Sequence, residues 1–113
     1  LKVTRIEAEF IIHGIEILVA VAHGTAKEKG WWDTERNDGE CIALMHSELS
    51  EVLESMRGQG TFGQRKEAIT HDLADCIIRI CDYAGARGLD LGKSLVEAME
   101  KNETRPHKHG KRF

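Results

Sequence analysis

Apolar positions recur at helical spacing in four segments of the chain. The first runs from about Thr4 to about Lys29. Its middle is apolar nearly all round, with Phe10, Ile11, Ile12, Ile15, Ile17, Leu18, Val19 and Val21. Such a helix buries more than one side, so it either sits centrally in a bundle or forms a subunit interface. The second, about 38–57, carries the stripe Ile42, Met45, Leu49, Val52, Leu53, Met56. The third, about 64–86, carries Ile69, Leu73, Cys76, Ile77, Ile80, Tyr83, Ala84. The fourth spans about 91–103.

Turn chemistry separates these segments. Asp38 and Asp90 stand where N-caps belong, and Gly58 and Gly88 where helices end. A polar loop, 30–37, holds Trp31 and Trp32, and a glycine-rich loop holds Gly58, Gly60 and Gly63. Pro106 bars easy continuation of the last helix.

Composition agrees with helix. The chain has one proline, few aromatics and many long straight-chain residues. Its 113 residues suit a single domain, 1–113, with a polar, basic C-terminal tail at 104–113. The expected fold is all-α and four-helix bundle-like. A domain of this size has a modest core of its own, so an oligomer is expected.

The apolar run from Phe10 to Ala22 is too short to span a bilayer, and His13, Gly14 and Glu16 interrupt it. Cys41, Cys76 and Cys81 fall in helical patterns without framework spacing, which suits reduced, buried thiols in a cytoplasmic protein. The net charge of −3 hides an asymmetry: the tail holds Arg105, Lys108, Lys111 and Arg112 and no acid. An acidic body with a basic tail suits a metal site with an anion clamp better than a broad nucleic-acid surface.

The chemistry concentrates in two acid pairs. Glu48-Leu-Ser-Glu51-Val-Leu and Asp72-Leu-Ala-Asp75-Cys-Ile share one pattern: acid, Leu, small, acid, apolar, apolar. Residues three apart on a helix are neighbours, and each pair lies at the edge of an apolar stripe. If the two helices pack antiparallel, four carboxylates can converge. Like charges in a half-buried place need a counter-charge, and oxygen donors suit Mg²⁺ with substrate phosphates. Either pair alone would read as solvated surface; the repetition argues against that. A di-iron bundle would need Glu-x-x-His on two helices, and the chain has none.

Two acid pairs about twenty residues apart on paired helices resemble the MazG-like, all-α nucleoside triphosphate pyrophosphohydrolases. Gly30-Trp31-Trp32-Asp33 looks like the family's aromatic loop. Asp90-Leu91 looks like its next helix start, and Met99-Glu100-Lys101-Asn102 through Arg105-Pro106 to His109-Gly110-Lys111 looks like its C-terminal segment. The resemblance spans about His23 to Phe113 and is nearest the short house-cleaning subtypes, including dCTP pyrophosphatases and integron-cassette MazG-like proteins. The family usually has Glu at the position of Asp72, and many relatives have another Glu at Ser47.

The resemblance implies cleavage of a (d)NTP between the α- and β-phosphates, giving a nucleoside monophosphate and pyrophosphate. It implies a homodimer or a dimer of dimers. Glu48, Glu51, Asp72 and Asp75 become the expected catalytic and metal-binding residues, with Mg²⁺ as cofactor and Mn²⁺ as a substitute. Glu51 or Asp72 would accept the proton of the attacking water. Arg79, Lys101, Asn102 and Arg105 are candidates for the phosphates, with Arg79 alternatively an ion-pair partner of Asp72 or Asp75. One tryptophan should anchor the core and the other stack on a base; the resemblance favours Trp32 as the base contact, with His23 near it.

Two other readings compete. A non-enzymatic helical oligomer would use its basic tail on nucleic acid or a protein partner. A His-Asp phosphohydrolase would depend on His46 and His71, but His71 points away from its helix's apolar stripe. His107 and His109 lack a third ligand at zinc spacing.

Overall fold

Thr4 opens the first helix. Its hydroxyl accepts the Glu7 N–H while the Glu7 carboxylate reaches back to the Thr4 N–H, a reciprocal capping box. The computed structural model describes all 113 residues and contains four α-helices and no strand: α1 Arg5–Glu28, α2 Asp38–Arg57, α3 Phe62–Arg87 and α4 Leu91–Glu103. A short 3₁₀ turn, His107–Gly110, follows in the tail. No helix is long and apolar enough to cross a membrane.

Two boundaries differ from expectation. Asn37, not Asp38, caps α2, its side-chain oxygen accepting the Glu40 N–H at 3.2 Å. Asp38 instead accepts bonds from the Tyr83 hydroxyl at 2.9 Å and Arg87 Nε at 2.7 Å. α3 begins two residues early because Thr61 and Gln64 form a second capping box. Gly88 ends α3 in the left-handed region at φ 65, a conformation glycine adopts without steric cost. Asp90 caps α4 as expected.

α2 and α3 form an antiparallel hairpin. Ser55 meets Asp72 near the turn, Glu48 meets Arg79 midway, and Asp38 meets Arg87 at the open end. α3 and α4 then run in succession along α1, both antiparallel to it. His23 faces Asp82 and Gly85, Ile12 faces Gly92, and the Val3 N–H reaches the Glu103 carboxylate. α3 is thus the central element, flanked by α2 and α1, while α4 covers only α1.

This arrangement leaves a thin core. Only 11 of 113 residues are buried, among them Ala22, Cys41, Val52, Ile69, Cys76, Cys81, Ala84 and Val96. All three cysteines are free and buried, as expected. The single chain buries only part of the expected stripes: Val52 of α2 and Ile69, Cys76 and Ala84 of α3 are buried, but other members are not. Leu53 is 54% and Ile77 50% exposed, with Ile42, Leu49, Met56 and Leu73 also on the surface. α1 likewise exposes Ile6, Phe10, Ile17 and Val21. Each helix has more apolar surface than one neighbour can cover.

Two glycines set the close approaches. A Cβ at Gly85 would lie 2.7 Å from the His23 Cβ, and one at Gly92 3.0 Å from the Ile12 carbonyl oxygen. Overpacking of this kind costs about 1–3 kcal/mol, partly offset by up to about 1 kcal/mol of helix propensity. Gly85→Ala is therefore expected to lower stability by about 1 kcal/mol or more, read as a lower urea midpoint at unchanged m-value. A raised midpoint would contradict the tight α1–α3 packing.

Candidate functional site

α1 diverges from the α2–α3 hairpin to leave a cleft of about 510 Å³, within the usual range for small-molecule sites. Its apolar wall comes from Leu18, Val21 and Ala22 of α1 and Ile78 of α3. Its polar wall carries Glu48, Asp75, Arg79 and Asp82, and Trp31 and Arg36 stand at the loop side.

Glu48 is the buried member of the acid group, 8% exposed and in line with buried Cys41 and Val52. It thus lies within the packed face of α2 rather than at the edge of its stripe. Arg79 Nε donates to Glu48 Oε1 at 2.6 Å, so Arg79 pairs with Glu48 and not with Asp72 or Asp75. Ser55 donates its hydroxyl to Asp72 Oδ2 at 2.8 Å.

Glu51, one turn along from Glu48, feels the whole group. Its carboxyl is held above the usual carboxylate range, chiefly by the charge of Glu48, then by desolvation and by the charges of Asp72 and Asp75. The antiparallel hairpin therefore brings all four acids into one electrostatic neighbourhood. Convergence is partial, however: the side chains as placed form no ready three-ligand cluster. Glu48 is drawn to Arg79 and Asp72 to Ser55. The donor set is all carboxylate oxygen with excess negative charge around Glu51, which suits a hard divalent cation in kind and charge.

The second polar centre was not anticipated. Asp82 is buried, 9% exposed, and its Oδ1 lies 2.8 Å from both His23 Nδ1 and Trp32 Nε1. Arg36 approaches Oδ2 at 3.9 Å. Trp32 is further held by the guanidinium groups of Arg36 and Arg87, 4.9 and 5.6 Å from its ring centroid, and meets the His23 ring edge-on. Arg87 also donates to the Arg36 carbonyl at 2.7 Å. Trp32 is thus the anchored tryptophan, and Trp31, 56% exposed, is the one lining the cleft. The anchoring tryptophan is therefore the one that the resemblance favoured as the base contact. Asp82 interrupts the apolar run Ile80-Cys81-Asp82-Tyr83-Ala84, a lone charge among core positions, and that was the available signal. Arg36, in an aperiodic loop, offered none.

Lys101, Asn102 and Arg105 are exposed and do not reach the cleft within one chain. They lie by the start of α1, where Glu103 meets Val3. The cleft is on the other half of α1, about 20 Å or more away at 1.5 Å per residue. His71 is exposed beside Glu67 at 3.8 Å, and His46 is exposed, so neither lines the cleft.

Comparison with protein-family models, with curated proteins and with solved structures finds no match to the chain. The functional reading therefore stands on these residues and their arrangement.

Two outcomes follow. The fold holds Glu51's proton more tightly than the unfolded chain does. Its contribution to stability is therefore complete below the ordinary carboxylate range and is lost as pH rises through its raised pKa. In chelator, Glu51→Gln is expected to melt at a higher temperature than wild type near about pH 7.5, with the difference closing below about pH 4. Equal melting at both pH values would deny the charge crowding. Asp82→Ala should remove an acceptor shared by two half-buried donors, costing about 1–3 kcal/mol and red-shifting tryptophan emission as the loop loosens. Unchanged emission would show that Asp82 does not hold the loop.

Proposed function

We propose that the protein is a Mg²⁺-dependent nucleoside triphosphate pyrophosphohydrolase of the MazG-like type, hydrolysing (d)NTPs to (d)NMP and pyrophosphate in house-cleaning of the nucleotide pool. The observation that carries this reading is the four-carboxylate group around Glu51, two of whose members, Glu48 and Asp75, line a ligand-sized cleft whose loop side presents Trp31 and Arg36. The divalent cation, when bound, supplies polarisation of the phosphoryl oxygens and a bound water of lowered pKa.

The chain's own groups divide the remaining work. Glu48, Glu51 and Asp75 hold the cation, with Asp72, tied to Ser55, completing the set. Glu51 or Asp72 accepts the proton of the attacking water. Trp31 stacks on the base, since it is exposed and lines the cleft, and such stacking accepts any base. Trp32 and His23 hold that wall through Asp82.

Oligomerisation belongs to the same proposal. The apolar faces left on α1 and on the α2–α3 hairpin suit a second copy of the chain. Lys101, Asn102 and Arg105 then act on phosphates from a neighbouring subunit, since their own cleft is beyond their reach.

The test is a panel of canonical and damaged dNTPs with Mg²⁺, scored for pyrophosphate against phosphate. Pyrophosphate release is expected, falling by about 100-fold or more in Glu48→Gln, Glu51→Gln and Asp75→Asn. Trp31→Ala should raise KM more than it lowers kcat. Near-normal turnover in any of the three acid variants would reject the site. Absence of pyrophosphate release, together with salt-sensitive binding of DNA or RNA, would favour the non-enzymatic oligomer.

A further inference from the structure

The ion pair between Arg79 and Glu48 has features of a temporary arrangement. Glu48 is buried, and a carboxylate removed from water needs a positive partner. Arg79 supplies it through Nε alone, at 2.6 Å. Its terminal nitrogens make no hydrogen bond within the chain, so the fork that could grip two oxygens is engaged at one point only. The Arg79 side chain is 35% exposed against 10% for Glu48. The anion is fixed by packing, and the cation has room to turn. Both residues line the cleft, together with Asp75.

We propose that Arg79 is an exchangeable counter-ion, holding Glu48 until a divalent cation takes that carboxylate and then turning its guanidinium to the anionic part of the ligand in the cleft. This rests on the reading of the four acids as a cation site. Once another cation neutralises Glu48, attraction to Arg79 is replaced by repulsion between two positive charges. The released guanidinium stays in the cleft, where its planar fork matches phosphate oxygens. Cation binding thereby creates an anion-binding group, and the coupling is reciprocal: the anion strengthens cation binding.

The opposite role for Arg79 is to orient Glu48 permanently as a ligand, and the two roles predict opposite signs. Mn²⁺ binding to the full-length chain is measured by the loss of the free-ion paramagnetic resonance signal. Exchange predicts that Arg79→Gln binds Mn²⁺ about tenfold tighter than wild type, roughly the effect of losing a 1.4 kcal/mol competitor. Arg79→Lys should fall between them and serves if the glutamine variant does not fold. In wild type, saturating Mg²⁺ is expected to raise affinity for inorganic phosphate by at least about fivefold, a gain absent in Arg79→Gln. Equal or weaker Mn²⁺ binding by Arg79→Gln and Arg79→Lys, with wild type binding normally, overturns the exchange and leaves the cation site standing. No Mn²⁺ binding by wild type overturns both. Phosphate affinity in wild type indifferent to Mg²⁺ overturns the turn of Arg79 toward the anion.

Discussion

The carboxylate of Asp82 is the point at which three parts of the chain are tied together. It projects from α3, the central helix, and meets His23 of α1 and Trp32 of the connecting loop. A buried carboxylate is costly unless its lone pairs are used, and here Oδ1 receives both contacts while Arg36 stands near Oδ2. The bond to His23 fixes α1 against α3 where Gly85 allows close approach. The bond to Trp32 fixes the loop, and with it the neighbouring Trp31 at the cleft. The cleft's shape therefore follows from a polar anchor rather than from apolar packing, of which this chain has little.

The rest of the site obeys the same constraint of charge in a small domain. Glu48 is buried by the packing of α2 on α3 and must be neutralised, which Arg79 does. Glu51 has no such partner, so the charges around it raise its proton affinity. One hairpin thus carries two carboxylates of opposite character, one paired and packed, the other exposed and crowded.

The thin core and the exposed apolar faces belong together. Each helix has an apolar stripe wider than its contact with one neighbour. α1 is covered on one side by α3 and α4, and α3 lies between α2 and α1. Ile6, Phe10, Ile17 and Val21 on α1 and Ile42, Leu49, Leu53, Leu73 and Ile77 on the hairpin remain exposed.

The sequence by itself determined the four helices, the start of the first near Thr4, the cap at Asp90, the stop at Gly88 and the matching pattern of the two acid segments. These are local properties: periodicity, capping and backbone freedom act within a few residues. Both capping boxes were legible as Thr-x-x-Glu and Thr-x-x-Gln, and the second would have moved the start of α3. Asn37 and Asp38 were equally good caps by composition, and only the distant partners Tyr83 and Arg87 decided between them. The tertiary structure alone decided which face of each stripe is buried, that Glu48 is the packed acid, and that Arg79 is its partner. It also decided that Trp32 anchors while Trp31 lines the cleft, and that the C-terminal basic residues lie at the far end of α1. The physical reason is common to all of these. A helical wheel gives the angle of a side chain about its own axis, whereas burial, ion pairing and reach depend on which neighbour occupies that direction.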